Sequence, residues 1–288
     1  MIPVAFDYQA PATLEDALSL LASDPDGAKV LAGGHSLIPA MKLRLAQPQL
    51  LVDIARIKSL SYIREDGNQI LIGATTTHYQ LESSDLLKQI CPLIPACAAS
   101  IGDVQVRNKG TIGGSIAHSD PAGDWPAAIL ALDADLVLVG PSGERTVKAA
   151  NFFVDLLTTD LRPGEILREI RIAKPSGRFG QAYQKVPHPA SGFAVVGIAV
   201  HLALNDDGSC KAAQIGVTGV DVKAYRAQGV EAALNGKNLD EQTIAAAVAH
   251  VCDGVDPNAD LYASGEYRCH LAQVHTRRAI QTAKSQVK

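Results

Sequence analysis

The sequence predicts an α+β protein in three parts, spanning residues 1–57, 58–176 and 177–288. Three observations carry that prediction. The first part alternates strand, helix and strand. The second sets short strand pairs around a broken helical stretch. The third runs three long strands and then three helices, after the linker Lys174-Pro175-Ser176-Gly177. With 288 residues, 47% of them hydrophobic, the chain can bury a large core.

In the first part, Phe6-Asp7-Tyr8 leads to Pro11-Ala12-Thr13, where Thr13 is placed as a helix N-cap with Asp16 at the third helical position. Leu14, Ala17, Leu18 and Leu21 then recur at helical spacing, and Asp24-Pro25-Asp26-Gly27 ends the helix as a turn. Residues 29–32 read as a buried strand, 37–45 as a short helix closed by Pro48, and 50–54 as a second buried strand. This unit is too short to stand alone and must lean on the second part of the chain.

In the second part, Tyr62-Ile63-Arg64 and Gln69-Ile70-Leu71-Ile72 flank Glu65-Asp66-Gly67-Asn68, a hairpin signature. Pro92 and Pro95 interrupt the apolar run 86–101, which predicts broken helix there. A strand at 136–139 turns through 140–143 and returns at 145–147. Pro163-Gly164 then introduces a strand over 166–172, so helices pack on a mixed or antiparallel sheet. The third part predicts strands at 181–186, 191–204 and 212–220 and helices at 223–234, 239–251 and 266–284.

Two glycine turns stand out within this frame. Leu31-Ala32-Gly33-Gly34-His35-Ser36 and Gly110-Thr111-Ile112-Gly113-Gly114-Ser115 each end in Gly-Gly plus a hydroxyl residue. Without a Cβ the backbone can approach a ligand closely, and successive N–H groups can converge on an anion. Each turn alone is also explained as a tight connection. Two of one pattern suggest a pyrophosphate held from both sides. Neither is a G-x-G-x-x-G or a G-x-x-x-x-G-K-[ST] motif.

At these residues the chain resembles a known family. Ala32-Gly33-Gly34-His35-Ser36-Leu37 with Thr111-Ile112-Gly113-Gly114-Ser115 is similar to the paired FAD-binding motifs of the flavoprotein (medium) subunit of molybdenum hydroxylases, most of all the carbon monoxide dehydrogenase type. The likeness runs from Ile2-Pro3 to Ala263-Ser264-Gly265-Glu266-Tyr267-Arg268. It implies a two-subdomain FAD-binding fold of the PCMH type over the first two parts. A C-terminal domain of a three-stranded antiparallel sheet and a helical bundle completes the chain. The likeness also implies a cofactor site of Ala32, Gly33, Gly34, His35, Ser36, Leu37, Thr111, Ile112, Gly113, Gly114, Ser115, Asp124, Leu167, Lys185 and Phe193.

Several of these positions have a second explanation. His35 donates to phosphate through its ring or its backbone N–H. Asp124 bonds the sugar-linked part of FAD or caps the helix starting near Pro126. Lys185 reaches the flavin or phosphate, or is an exposed strand lysine. Arg107 pairs with a phosphate or faces solvent. Phe193 takes the place of an aromatic residue beside the flavin ring. Carbon monoxide enzymes carry a basic stretch and Gly-Asp-Tyr or Gly-Asp-Trp there, whereas this chain has Val186-Pro187-His188-Pro189 and Ser191-Gly192-Phe193. The motifs therefore specify flavin binding more closely than one substrate.

By the same resemblance, a large subunit holds a molybdenum–pterin cofactor and a small one carries [2Fe-2S] clusters. Together with this chain they form a dimer of heterotrimers. FAD here accepts electrons from the clusters and delivers them to an external acceptor, the sole route to any membrane contact. No residue of this chain acts as a catalytic acid or base. The rivals are a self-sufficient FAD oxidoreductase with its own substrate pocket and a scaffold whose glycine turns are merely structural.

Composition narrows the remaining classes. A net charge of −4 without a basic block argues against nucleic-acid binding. The cysteines (Cys91, Cys97, Cys210, Cys252, Cys269) are scattered with no C-x-x-C pair, so clusters and structural zinc are not expected on this chain. Each reads as a small buried residue in a reducing compartment. His118, Asp120 and Asp124 match no standard zinc spacing, and Ser119 lies in no G-x-S-x-G elbow. With no basic, apolar leader and no run of ~18 uncharged apolar residues, the expected location is the cytoplasm.

Overall fold

Parallel pairing organises the first part. A computed structural model of the chain describes residues 1–287. In it β1 (Asp7–Gln9), α1 (Leu14–Ser23), β2 (Ala28–Leu31), α2 (Leu37–Lys42) and β3 (Leu50–Asp53) form a three-stranded sheet with β3 between β1 and β2, parallel to both. Parallel neighbours need crossover connections, and α2 links β2 to β3. Thr13 starts α1 by accepting from the Asp16 N–H at 3.1 Å, as its sequence position predicts. The small core of Ala17, Leu21, Val52, Ile54, Ile57 and Leu60 is completed by Ile166 from the second part.

The second part is built on a five-stranded antiparallel sheet. The hairpin β4 (Ile63–Asp66)–β5 (Gln69–Gly73) is followed by six short helices: α3 (His78–Ser83), α4 (Asp85–Ile90), α5 (Leu93–Ala99), α6 (Val104–Lys109), α7 (Ile112–His118) and α8 (Asp124–Ala131). Then come β6 (Asp135–Gly140), β7 (Gly143–Lys148), α9 (Ala149–Phe152), the small pair β8 (Phe153–Asp155) and β9 (Thr158–Thr159), and β10 (Ile166–Ala173). Strand β10 returns between the two hairpins, giving the order β4-β5-β10-β6-β7.

All eight residues of α8 are buried, Trp125 completely. The reason is that α8 lies between this sheet and the next. A Cβ on Gly216 would sit 2.8 Å from the Ala127 carbonyl carbon, so glycine lets the following sheet rest directly on α8.

The third part carries β11 (Arg178–Pro187), β12 (Ala194–Leu204), β13 (Cys210–Thr218) and β14 (Tyr225–Arg226), antiparallel in that order, and helices α10 (Gln228–Leu234), α11 (Glu241–Val248) and α12 (Gly265–Ser285). The sheet therefore has four strands where three were expected. Tyr225 and Arg226 fall where the sequence predicts the start of a helix. Instead Ala227 donates to the Ile215 carbonyl at 2.9 Å and Arg226 pairs with Glu231 at 2.5 Å, which holds the segment on the sheet edge. Helix α12 covers β11 and β12 and shares with them the largest C-terminal core.

Two of the five cysteines depart from expectation. Cys252 and Cys269 are disulfide-bonded, with Cα atoms 6.1 Å apart, because the chain after α11 folds back onto the first turns of α12. Cys91, Cys97 and Cys210 are buried thiols. Among the described residues no helix is long and apolar enough to cross a membrane.

Candidate functional site

The two glycine motifs, far apart in sequence, touch. A Cβ on Gly33 would lie 2.7 Å from the Gly110 Cα and closer still to the Lys109 carbonyl oxygen. Gly114 faces Ala32, with 3.8 Å from its Cβ position to that methyl group. The approach is set by the two sheets. Strand β2 delivers the first corner, while the second is tied to the five-stranded sheet: Ala74 accepts from Gly113 and donates to the Arg168 carbonyl of β10, at 2.9 and 3.0 Å. Gly113 must be glycine, since its Cβ would meet Ala74 O at 2.6 Å.

The corners are not alike. In the first, the N–H groups of Gly33, Gly34, His35, Ser36 and Leu37 make no hydrogen bond to any described residue, and Ser36 does not use its hydroxyl to cap α2. Five consecutive N–H donors are thus left without a partner among the described residues. Gly34 takes φ 75°, the left-handed conformation that glycine allows.

The second corner corrects the expectation of a matching turn, for it is the first turn of α7. Thr111 caps that helix, accepting from the Gly114 N–H at 3.2 Å, while Ile112 and Gly113 donate to the carbonyls of Thr76 and Ala74. Thr111, Ile112 and Gly113 are buried, so only Gly114 and Ser115 of this motif reach the surface. The second corner thus offers shape and the Ser115 hydroxyl, and the first supplies the donors.

His78, which sequence reasoning passed over, supports the second corner from beneath. Its backbone N–H donates to the Gly110 carbonyl at 2.9 Å, and its Nδ1 accepts from Trp125 Nε1 at 3.0 Å. Burial, with His35 and Arg107 nearby, holds its imidazole down from 6.5 to about 4. Below pH 6.5 the unfolded chain takes up this proton and the folded one does not. Stability should therefore be lost as pH falls from 6.5 towards 4, by about 3 kcal/mol from this group. Urea unfolding at pH 7 and pH 4.5 should give a smaller acid loss for His78→Asn than for the parent chain.

A further buried polar cluster lies at the start of α8. Asp124 is the first residue of α8, 5% exposed, and it does not cap that helix; Gly123 holds the capping position. Its carboxylate accepts from Lys185 Nζ at 2.8 Å and from the Tyr183 hydroxyl at 2.5 Å. Lys185 also donates to the Ser100 carbonyl at 3.0 Å, so it is not the exposed strand lysine its sequence setting suggests. Burial pushes the Asp124 carboxyl up, against the pull of Lys185 and Tyr183.

Phe193 stands at the tip of the β11–β12 hairpin with 46% of its surface exposed. The same hairpin end joins the segment before Asp124, because Ala194 donates to the Ala122 carbonyl at 3.1 Å. Arg107 departs from both of its expected roles. Arg107 neither faces solvent nor waits for phosphate: it pairs with Glu82 at 2.7 Å and donates to the carbonyls of Ile101 and Gly102. Leu167 is a core side chain paired opposite Leu138. His118 and Asp120 stand 3.9 Å apart while Asp124 turns to Lys185, so the three do not converge on a metal position.

Comparison with known proteins identifies the family. Residues 4–175 match the family described as the FAD binding domain in molybdopterin dehydrogenase, and residues 181–283 match the CO dehydrogenase flavoprotein C-terminal domain. The carbon monoxide dehydrogenase medium chain of Afipia carboxidovorans is 40% identical over 288 residues, covering 100% of both chains. The 6-hydroxypseudooxynicotine dehydrogenase complex subunit alpha of Paenarthrobacter nicotinovorans is 36% identical, covering 98% of this chain and 96% of that one. A solved carbon monoxide dehydrogenase from Hydrogenophaga pseudoflava, lacking the Mo-pyranopterin moiety, superposes with a TM-score of 0.97 at 40% identity, covering 100% of each chain. With matching domains in matching order along its whole length, the chain belongs to the FAD-binding medium subunits of the molybdenum hydroxylase family, an oxidoreductase family.

Proposed function

We propose that this chain carries FAD as the electron relay of a multisubunit molybdenum hydroxylase. It accepts electrons from the [2Fe-2S] clusters of a small subunit and passes them to an external acceptor, while a large molybdenum–pterin subunit oxidises the substrate. The observation that carries the reading is the meeting of the two corners, with five successive N–H donors on one of them. A diphosphate is the ligand such a row of amides suits. Gly33 to Leu37 donate to it, with the hydroxyls of Ser36 and Ser115 beside them. Asp124 would bond the sugar-linked part of FAD with Lys185 beside it, and Phe193 would lie close to the flavin ring.

Bound FAD supplies the redox chemistry, taking up and giving out electrons. The chain's own residues bind and orient the cofactor. This reading gives none of these residues a proton transfer with an organic substrate. Two of the relatives are named for carbon monoxide and for 6-hydroxypseudooxynicotine. Substrate choice is therefore assigned to the large subunit, and the complex to a dimer of heterotrimers. The division at 57 and 176 separates two FAD-binding subdomains from a C-terminal domain.

Purification of the tagged full chain from its own host tests this. The expected result is a yellow protein with a flavin band near ~450 nm, releasing FAD and not FMN on denaturation. It should be accompanied by one large molybdenum-containing chain and one small iron–sulfur chain. A colourless protein that takes up no FAD on reconstitution would remove the reading. A flavoprotein that turns over an organic substrate with no companion chain would replace it by a self-sufficient oxidoreductase.

A further inference from the structure

Arg268 lies in the first turn of α12, far along the chain from both glycine corners and from the Asp124–Lys185 pair. It is buried, yet its guanidinium serves α12 in no way. Nη1 donates to two carbonyls, Val195 and Gly219, at 2.7 Å each, and Nη2 pairs with Asp260 at 2.6 Å. Asp260 is itself fixed, accepting from the N–H groups of Tyr262 and Ala263 at 2.8 Å. The two carbonyls belong to the ends of neighbouring strands β12 and β13, beyond or at the limit of their ladder. The strand ends approach so closely that a Cβ on Gly219, which takes φ 85°, would lie 2.5 Å from the Val195 oxygen. Two carbonyl dipoles pointing at one place repel unless a cation lies between them. Arg268 is that cation.

These strand ends grip the loop that joins the second glycine corner to Asp124. Ala194 and Gly219 donate to the carbonyls of Ala122 and Pro121 at 3.1 and 2.7 Å. The Thr218 hydroxyl bridges the carbonyls of Pro121 and Gly123, at 2.8 Å to each. The loop begins at Ser119, held in the left-handed region at φ 53°, and ends at the first residue of α8. The two carbonyls that Arg268 holds thus belong to strand ends that grip the segment between Gly114 and Asp124.

We propose that Arg268 is a positioning residue of the flavin site: it pins the ends of β12 and β13, and through them the loop Ser119–Gly123. The inference rests on the proposal that the two corners bind FAD. It assigns to a C-terminal-domain side chain a part in cofactor binding that no contact with the cofactor would reveal.

The experiment compares parent, Arg268→Lys, Thr218→Val and the double variant, each purified with its companion chains. FAD dissociation constants, visible circular dichroism of the flavin and thermal unfolding are measured. Lysine keeps the charge but cannot bridge both carbonyls and Asp260 at once. Arg268→Lys is expected to weaken FAD binding about tenfold and to change the flavin dichroism, as loss of a supporting shell does. The double variant should bind FAD only slightly more weakly than the worse single variant, because both changes loosen one clasp.

If Arg268→Lys lowers the melting temperature but leaves FAD affinity and dichroism at parent values, Arg268 is merely structural and the proposal falls. It falls equally if the two substitutions multiply as independent effects. Should Arg268→Lys not fold, Thr218→Val and Asp260→Asn carry the same test, since both are expected to move FAD affinity and dichroism in the same direction. A parent chain that binds no FAD refutes the underlying reading, a different outcome from either.

Discussion

Gly33→Ala is expected to leave a folded chain that retains less than about a hundredth of the parent's FAD affinity. The added methyl would meet Gly110 Cα at 2.7 Å and press harder on the Lys109 carbonyl oxygen. Both obstacles are backbone, so no rotamer change relieves them. The corners must move apart, and the row of donors from Gly33 to Leu37 leaves its place opposite Gly114 and Ser115. Gly33 itself contributes no side chain to the small hydrophobic clusters in which Leu31, Ala32 and Leu37 pack. Far-ultraviolet dichroism should therefore stay at the parent value while flavin per chain after gel filtration collapses. Full flavin retention in this variant would mean that the contact between corners is not what holds the cofactor.

The second large effect concerns the buried pair Asp124–Lys185. Neutralising one partner strands the other in a dry site, which typically costs about 3–5 kcal/mol. Asp124→Asn keeps an acceptor for the Tyr183 hydroxyl but leaves the Lys185 ammonium with the Ser100 carbonyl alone. Lys185→Met strands the carboxylate instead, and here pH gives a signature. Burial already pushes Asp124 up, and removal of the cation pushes it further.

A carboxyl whose folded pKa lies above its unfolded value binds its proton more tightly when folded. The variant is then most stable in acid and loses stability as pH rises through the interval between the two values. Urea unfolding should accordingly show Lys185→Met closer to the parent at pH 5 than at pH 8, with no such acid recovery for Asp124→Asn. The double variant should be less destabilised than the sum of the singles, since neither charge is left alone. Simple additivity would show that the two groups are not coupled.

By itself the sequence determined those features whose cause lies within a few residues along the chain. Thr13 caps α1 because its hydroxyl reaches the N–H three positions on; the β4–β5 hairpin turns at Gly67-Asn68; and Asn205 to Gly208 turns β12 into β13. The two Gly-Gly corners were legible for the same reason, since absence of a Cβ is a property of the residue itself.

Tertiary structure alone decided which corner offers donors. The N–H groups of Ile112 and Gly113 are taken by carbonyls of Thr76 and Ala74, brought there by the sheet. It also decided that Lys185, 61 positions from Asp124, is its buried partner, that Arg107 answers Glu82, and that Arg268 gathers the strand ends. A buried polar group takes whichever partner the packed segments bring within about 3 Å, and sequence spacing carries no record of that meeting.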